Sequence, residues 1–555
     1  MNNTTYMGLE IAMRGLYSAQ RGMANVAHNV DNVNTPGYSR QMLVQTAAHP
    51  LLVANGTGML GTGSDVIGVE RVRDIYLNEK YWGEAQYYGE WSVKATIIED
   101  MQTIYNEPSE NGYTKIISDF FSALQTLSTN PSDLSVRAMV KEKAVSVAKY
   151  FNSVAKHFDL LQEDLNQMVN AKVEEINNLA DQIRELNLQI YNVEVMGNKA
   201  NDLRDKRDYL VDKLSKLVNI NAYEVETGLK LPNGEKETRF VVTISGKALV
   251  DHNTVCHLKC ESREQKLNEE DIDNLFDVSW EDGNKLNLKS GELKAYIDMR
   301  DGNDGLPGLN GENSPDCKGI PYYQRKMNEF VRTFAMALNE GIMDSDGDGV
   351  LDKTFGHVDG YTLNGTTPSG IRLFTMLNEY GEYMSSADFM AMAEKIGVQE
   401  GITYDPLTDE YDARLLRAYR NITARNFCIS FDIENDPSEN ISASLAPGQA
   451  GNNENINNLL KIRHNTYLFM EGTPEDFIKT VVSSMGVDGQ QYEQYLDVQE
   501  GIINQLENRR QSISGVSLNE EMVNLVKYQQ IYGAAATIIR TFGEVLDILV
   551  NRLGI

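Results

Sequence analysis

The sequence predicts a multi-domain, mainly α-helical protein. Paired N- and C-terminal helices should form a coiled-coil-like inner domain, a long helical bundle should come next, and a strand-containing (α+β) part should lie outermost. Three observations predict this. Apolar residues repeat every seven positions at both ends of the 555-residue chain, a helical period runs through residues 84–220, and strand-like runs replace it over residues 219–288. A chain of 555 residues is too long for one core, so roughly three or four domains are expected.

The first helix is expected over residues 1–34. Leu9, Leu16, Met23 and Val30 recur every seven residues, and Ala12, Ala19, Val26 and Val33 fill the positions three further on. At the other end Leu518, Leu525, Tyr532, Ile539, Leu546 and Leu553 repeat in the same way, with Tyr528, Ala535, Phe542 and Leu549 in the second seam. Two seams offset by three give each helix an apolar stripe that must find a partner helix. The termini are therefore expected to pair with each other, or with the same elements of neighbouring subunits. Pro36-Gly37 stops the first helix and leaves residues 38–72 extended or in loops.

Within the helical stretch the clearest seam sets Ile176, Ile183 and Ile190 beside Leu179, Leu186 and Val193. Strand-like runs such as Arg239-Phe240-Val241-Val242-Thr243-Ile244 follow. Residues 301–320 are a Gly-, Asn- and Asp-rich loop, and a helix is expected again over 322–339. Residues 340–455 mix loops with a helical patch at 385–396 and a strand at 427–433. Helix returns over 474–485 and 492–512. The expected units are an inner domain of 1–60 with 510–555, a helical domain of 61–220 with 456–509, and a mixed strand and loop part of 221–455.

The net charge is −29, and its distribution is uneven. Residues 1–50 sum to +1 and residues 515–555 to −1, so the whole surplus lies between them. Near-neutral ends can pack densely in a polymer, while an acidic body stays solvated. Nucleic-acid binding is disfavoured, because phosphate contacts need basic patches. No apolar run has the length of a membrane-spanning helix, so no membrane insertion is expected. The N-terminus lacks a basic n-region followed by an apolar h-region, so no cleaved signal peptide is expected either.

Several strings invite a chemical reading. Gly56-Thr57-Gly58-Met59-Leu60-Gly61 matches a dinucleotide fingerprint by letters, but Thr62-Gly63-Ser64-Asp65-Val66-Ile67-Gly68 then continues as turn and strand where a helix is required. His252, Cys256, His257 and Cys260 have zinc-like density. On one strand, however, residues four apart stand about 13 Å from each other, too far to share an ion. Asp344, Asp346, Asp348 and Asp352 occupy positions 1, 3, 5 and 9 of a calcium loop with Gly349 at its turn, while the twelfth position is Phe355 in place of a bidentate Glu. They form a weak metal candidate at best. No hydrolase, zinc-protease or nucleotide-loop motif occurs. The expectation is no enzyme, no catalytic residue and no cofactor.

The string Asn29-Val30-Asp31-Asn32-Val33-Asn34-Thr35-Pro36-Gly37-Tyr38 resembles the N-terminal signature of bacterial flagellar rod, hook and hook-associated proteins. Its continuation Ser39-Arg40-Gln41 looks like the version found in hook–filament junction members. Ser514-Gly515-Val516-Ser517-Leu518-Asn519-Glu520-Glu521 and Asn524-Leu525-Val526-Lys527-Tyr528-Gln529-Gln530 are similar to the partner signature at the other end of that family. Ala200-Asn201-Asp202-Leu203 with Lys206-Arg207-Asp208, and Ser483-Ser484-Met485-Gly486-Val487-Asp488, extend the likeness inward.

The resemblance implies a secreted structural protein of the flagellum that assembles as a homo-oligomeric ring through its paired terminal helices. It further implies the hook protein on one side and the next hook-associated junction protein on the other. Passage through an export chaperone and the flagellar type III export apparatus, to an extracellular site at the hook–filament junction, is also implied. Two alternatives stay open at this point: a hook or distal-rod subunit, and a secreted axial protein whose outer insertion binds a ligand or calcium.

Overall fold

A helix-rich flank, a strand-bearing middle and a second helix-rich flank follow one another in the computed structural model, which describes residues 4–52, 58–105, 112–230, 236–405, 409 and 411–551. Helix α1 (Thr4–Asp31) leads through β1 (Gln41–Ala47), β2 (Leu51–Leu52), β3 (Met59–Leu60) and β4 (Ser64–Arg71). Four helices come next: α2 (Ile75–Tyr105), α3 (Tyr113–Thr129), α4 (Leu134–Val195) and α5 (Asn201–Leu217). Strands β5 (Ile220–Lys230), β6 (Lys236–Ile244), β7 (Lys247–Asp251), β8 (Thr254–Val255), β9 (Leu258–Ser262) and β10 (Phe276–Trp280) precede α6 (Glu292–Asp301) and α7 (Ile320–Glu340). The middle continues with β11 (Ile342–Met343), β12 (Asp352–Lys353), β13 (Phe374–Met376), α8 (Ser386–Glu400), α9 (Ala413–Tyr419) and β14 (Phe427–Ile429). Three short helices, α10 (Phe431–Asn435), α11 (Pro437–Asn440) and α12 (Glu454–Lys461), lead to the long α13 (Pro474–Ser514) and the terminal α14 (Leu518–Asn551). The expected fold class, mainly α with small antiparallel sheets, is what the chain adopts.

Local chemistry sets these boundaries. Asp133 caps α4 by accepting the Ser135 and Val136 N–H groups, and Thr473 with Pro474 opens α13. Gly341 closes α7 at φ +66°, the left-handed conformation that glycine adopts without strain. In the four-stranded meander β5–β6–β7–β8, Phe240, Val242 and Ile244 of β6 alternate toward the core.

Buried apolar residues gather in two cores. One lies where α3, the first half of α4 and α7 meet, and stacks Phe151, Phe330 and Phe469 with ring centroids 5.0 and 5.1 Å apart. The other joins the start of α2, the second half of α4, α5 and the inner face of the meander. Ile176, Leu179 and Ile183 of the α4 seam are buried there, Ile190 is buried outside that cluster, and Leu186 and Val193 are half-buried.

Three local expectations give way. The strand expected at 427–433 stops at Ile429, because Ser430 caps α10 by accepting the Ile433 N–H. The helix break expected between 485 and 492 is absent: α13 runs on through Gly486 and Gly489. A Cβ on Gly489 would stand 2.9 Å from Gln102 Nε2 and 3.3 Å from Ile98, so this glycine serves the close approach of α13 to α2. Lastly, Cys256 and His257 link β8 to β9 outside either strand, so Cys256 and Cys260 do not share a strand.

Candidate functional site at the joint of the terminal helices

Helices α1 and α14 pack antiparallel in a strict seven-residue register. A Cβ on Gly8 would fall 2.1 Å from the Phe542 ring, one on Gly15 would meet Ala535 at 3.9 Å, and one on Gly22 would fall 2.5 Å from the Tyr528 ring. Asn29 Nδ2 then donates to Glu521 Oε2 at 3.3 Å. Each step advances seven residues on one helix and retreats seven on the other. Phe542 and Tyr528 are thus knobs seated over glycine holes, which lets the helices approach closely. Ala12, Ala19 and Val26 are buried beside the glycines.

The residues expected to carry the pairing are distributed around this seam. Leu9, Leu16, Met23 and Val30 are half-buried at its flank, as are Leu525, Ile539 and Leu546. Leu518 and Tyr532 are 50% and 39% exposed. Leu553 and the Leu549 side chain lie outside the described residues. Sequence reasoning passed over Gly8, Gly15 and Gly22 themselves, although three helical glycines at a spacing of seven signal a close helix–helix approach.

The pair is tied to the body by the motif residues. Asn34, Thr35 and Pro36 make an exposed turn, with the Tyr38 N–H donating to Thr35 O at 3.2 Å. Gly37 sits at φ +78° with the Tyr209 side chain 2.8 Å from where a Cβ would be, so both conformation and space demand glycine. Tyr38 Oη donates to Asn29 Oδ1 at 2.8 Å, and Gln41 N donates to the same oxygen at 2.9 Å. The Ser39 N–H and Oγ–H both donate to the Asp205 carboxylate at 2.8 Å. Arg40 reaches back to α14, pairing Glu521 at 2.8 Å and Glu520 at 2.7 Å, while its N–H donates to Ser514 O at 2.7 Å. Gln41 Nε2 donates to Asp202 at 2.6 Å. The three quoted signatures at 29–41, 200–208 and 514–521 therefore meet at one place.

Below them Arg71 pairs Asp205 at 3.0 Å and Asp208 at 2.7 Å, and Arg73 Nη1 donates to Ser39 Oγ at 3.1 Å. Arg71 and Arg73 are two apart in extended chain, and Asp205 and Asp208 are three apart on a helix, so each pair shares a face. Burial pushes the Asp208 carboxyl up, but Arg71, Arg73 and Arg207 outweigh it and hold it below the usual carboxylate range. At Asp205 burial wins over Ser39, Arg71 and Arg73, leaving that carboxyl above its usual value. Burial and the charges of Asp202, Asp205 and Glu521 push the Tyr38 phenol up, which keeps it a neutral donor.

The metal candidates lie far from this joint in the sequence. Asp344, Asp346 and Asp348 bring carboxylate oxygens within 4.8 Å of one another, and Asp344 accepts the Gly347 and Gly349 N–H groups at 2.6 and 3.0 Å. Asp352 instead accepts from Ser345 N at 3.2 Å and from the Ser345 hydroxyl. The residues of the zinc-like string go separate ways. His257 Nε2 stands 3.1 Å from Asp181, His252 meets the Tyr191 ring edge-on, and Cys260 pairs with Val278 across β9 and β10. Gly58 to Gly68 carries β3 and most of β4 and opens no helix; Gly56 and Thr57 lie outside the described residues.

Comparison with known proteins bears directly on this architecture. Residues 98–349 match the family described as flagellar hook-associated protein FlgK helical domain, and residues 508–553 match the flagellar basal body rod FlgEFG protein C-terminal family. Along its whole length the chain is similar to flagellar hook-associated protein 1. The flagellar hook-associated protein 1 of Bacillus subtilis is 27% identical over 563 residues, covering 100% of this chain and 99% of that protein. Those of Salmonella typhimurium and Escherichia coli K12 are 26% and 24% identical, each covering 97% of this chain and 98% of the relative. Among solved structures, the flagellar hook junction protein FlgK from Burkholderia pseudomallei superposes with a TM-score of 0.54 at 12% identity, over 79% of this chain and 100% of that one. At that identity the likeness speaks for the fold.

Proposed function

We infer that this chain is a structural subunit of the bacterial flagellum that joins the hook to the filament. One observation carries the reading: a terminal helix pair, held in register by glycine holes, that leaves much of its apolar surface open. Met522, Val523, Val526, Ile538, Val545 and Ile548 are 45–69% exposed on α14, and Tyr17 is 57% exposed on α1. A helix apolar on nearly every side belongs in the interior of something larger. Each such residue, already about half covered, gains roughly 1 kcal/mol on full burial.

On this reading the copies form a ring, with the hook protein on one side and the next hook-associated junction protein on the other. The chain reaches that place through an export chaperone and the flagellar type III export apparatus. The proposed units are the inner pair of 1–60 with 510–555, the helical part of 61–220 with 456–509, and the outer part of 221–455. The acidic loop at Asp344, Asp346, Asp348 and Asp352 is a surface loop in this proposal, and no catalytic or cofactor role is assigned.

Electron microscopy of cells deleted for the protein tests the function. Intact hooks without filaments, restored by complementation, are expected. Normal filaments would defeat the reading, and loss of the hooks themselves would favour a hook or rod subunit.

A further inference from the structure

A cleft of about 890 Å³ opens beside the joint, between the turn at residues 33–40, α5 and the end of α13. Its lining is cationic in a chain of net charge −29. Each carboxylate in the lining already has an arginine: Asp212 pairs Arg510 at 2.7 Å, Glu507 stands 3.5 Å from Arg510, and Glu520 pairs Arg40 at 2.7 Å. Lys213 and Lys216 also line the cleft, and neither has an ion pair among the described residues. Their ammonium groups stand over the rings of Tyr209 and Tyr88, at 4.8 and 5.6 Å.

The deeper cations are not saturated either. Arg73 and Arg510 keep only 8% and 10% of their side-chain surface; Arg73 Nε meets Asp208 only at 3.4 Å and Arg510 Nη1 meets Glu507 only at 3.5 Å, and Arg73 Nη2 has no hydrogen-bond partner among the described residues. Buried guanidinium N–H groups without acceptors are costly, and a carboxylate is the acceptor that fits their fork. The cleft is too large for a single small anion and has the size of a side-chain-bearing peptide segment.

We propose that this cleft receives an acidic segment of a second copy of the chain, whose carboxylates pair with Lys213 and Lys216 at the rim and approach Arg73 and Arg510 within. Charge complementarity names the occupant: the body between the near-neutral ends carries the whole negative surplus, and every further copy of the chain brings that surplus with it. The proposal rests on the junction reading, and adds to the apolar terminal pair a polar contact that fixes which face of one copy meets the next.

Hook–filament structures sheared from cells and treated with a carbodiimide, which condenses a lysine amine with a touching carboxylate and expels water, give the test. Chain dimers whose cross-linked peptides join Lys213 or Lys216 to an Asp or Glu of another copy are expected. Dimers joined only through other residues, no dimers, or these lysines linked to a different protein would overturn the proposal. Absence of the chain from the isolated structures would instead remove the junction reading, and the proposal with it. Lys213→Glu with Lys216→Glu should nearly keep the wild-type melting temperature, because neither lysine has an ion pair among the described residues. The same variant should reduce attached filaments about tenfold through like-charge repulsion. Wild-type filament numbers from a correctly folded variant would count equally against it.

Discussion

The glycine holes make a quantitative prediction, because alanine should have opposite effects at neighbouring rungs of one ladder. Helix propensity alone favours alanine over glycine by about 1 kcal/mol. At Gly15 the new methyl would meet Ala535 at 3.9 Å, an ordinary contact, so the gain is kept and Gly15→Ala should stabilise the pair by about 1 kcal/mol. At Gly22 the methyl would fall 2.5 Å from the Tyr528 ring, and at Gly8 it would fall 2.1 Å from Phe542. Either ring must leave its seat or the helices must part. Overpacking of this kind costs about 1–3 kcal/mol, which exceeds the propensity gain. Gly15→Ala and Gly22→Ala should therefore differ by about 2 kcal/mol, or roughly 30-fold in the opening equilibrium of the pair. Hydrogen exchange of amides in α1 and α14 of the purified chain reads that opening locally, without unfolding the body. Equal protection in the two variants, or faster exchange in Gly15→Ala, would refute the knob-and-hole account.

His357 is 1% exposed, accepts the Ser442 N–H at 2.9 Å on Nε2 and donates from Nδ1 to Ile371 O at 2.7 Å, and burial near Arg137 lowers its pKa from 6.5 to about 4. Above pH 6.5 the ring is neutral whether folded or unfolded; below it the unfolded chain takes the proton first, so stability falls by about 3 kcal/mol by pH 4. His357→Gln should flatten that loss in melting curves between pH 6.5 and 4, and an unchanged slope would remove His357 as its source. Ile539→Asp with Leu546→Asp places charges on two half-buried positions of α14. The melting of the body, whose two cores lie elsewhere, should barely move while filaments disappear; a large drop in the main transition would show that α14 supports the body. Calcium should bind the loop at 344–352 no tighter than about millimolar, since position 12 is Phe355, exposed and without ligand oxygens. Submillimolar binding by calorimetry, abolished in Asp346→Ala, would reverse this.

The pairing of the ends was legible because heptads are long-range periodic signals. Which face of each helix is most buried was not, because apolar counting weights Leu9 and Leu16 and is blind to Gly8 and Gly15, whose missing side chains set the contact. The joint could be located as strings, yet its chemistry depends on Asp205, Arg71 and Glu521, which are far from residue 39 in sequence and meet it only once the chain has folded. Two misjudged boundaries have local causes. Ser430 is an N-cap that a β-rich run concealed, and Gly486 with Gly489 looked like a break because propensity ignores the α2 side chains that need the lack of volume at Gly489.

Helix α4 spans 62 residues, about 93 Å at the α-helical rise, and its side chains enter both cores in turn. It is a spar, with no break along its length at which the body could fold over. Torque entering at one end of such a member leaves at the other with little loss to bending. The link from that spar to the terminal helix pair is thin by comparison: two crossings of chain, residues 32–40 and 515–517, braced by arginine–carboxylate pairs. A rotating shaft built from such subunits would flex as a cable does, each strand stiff along its length and free to shift at its ties.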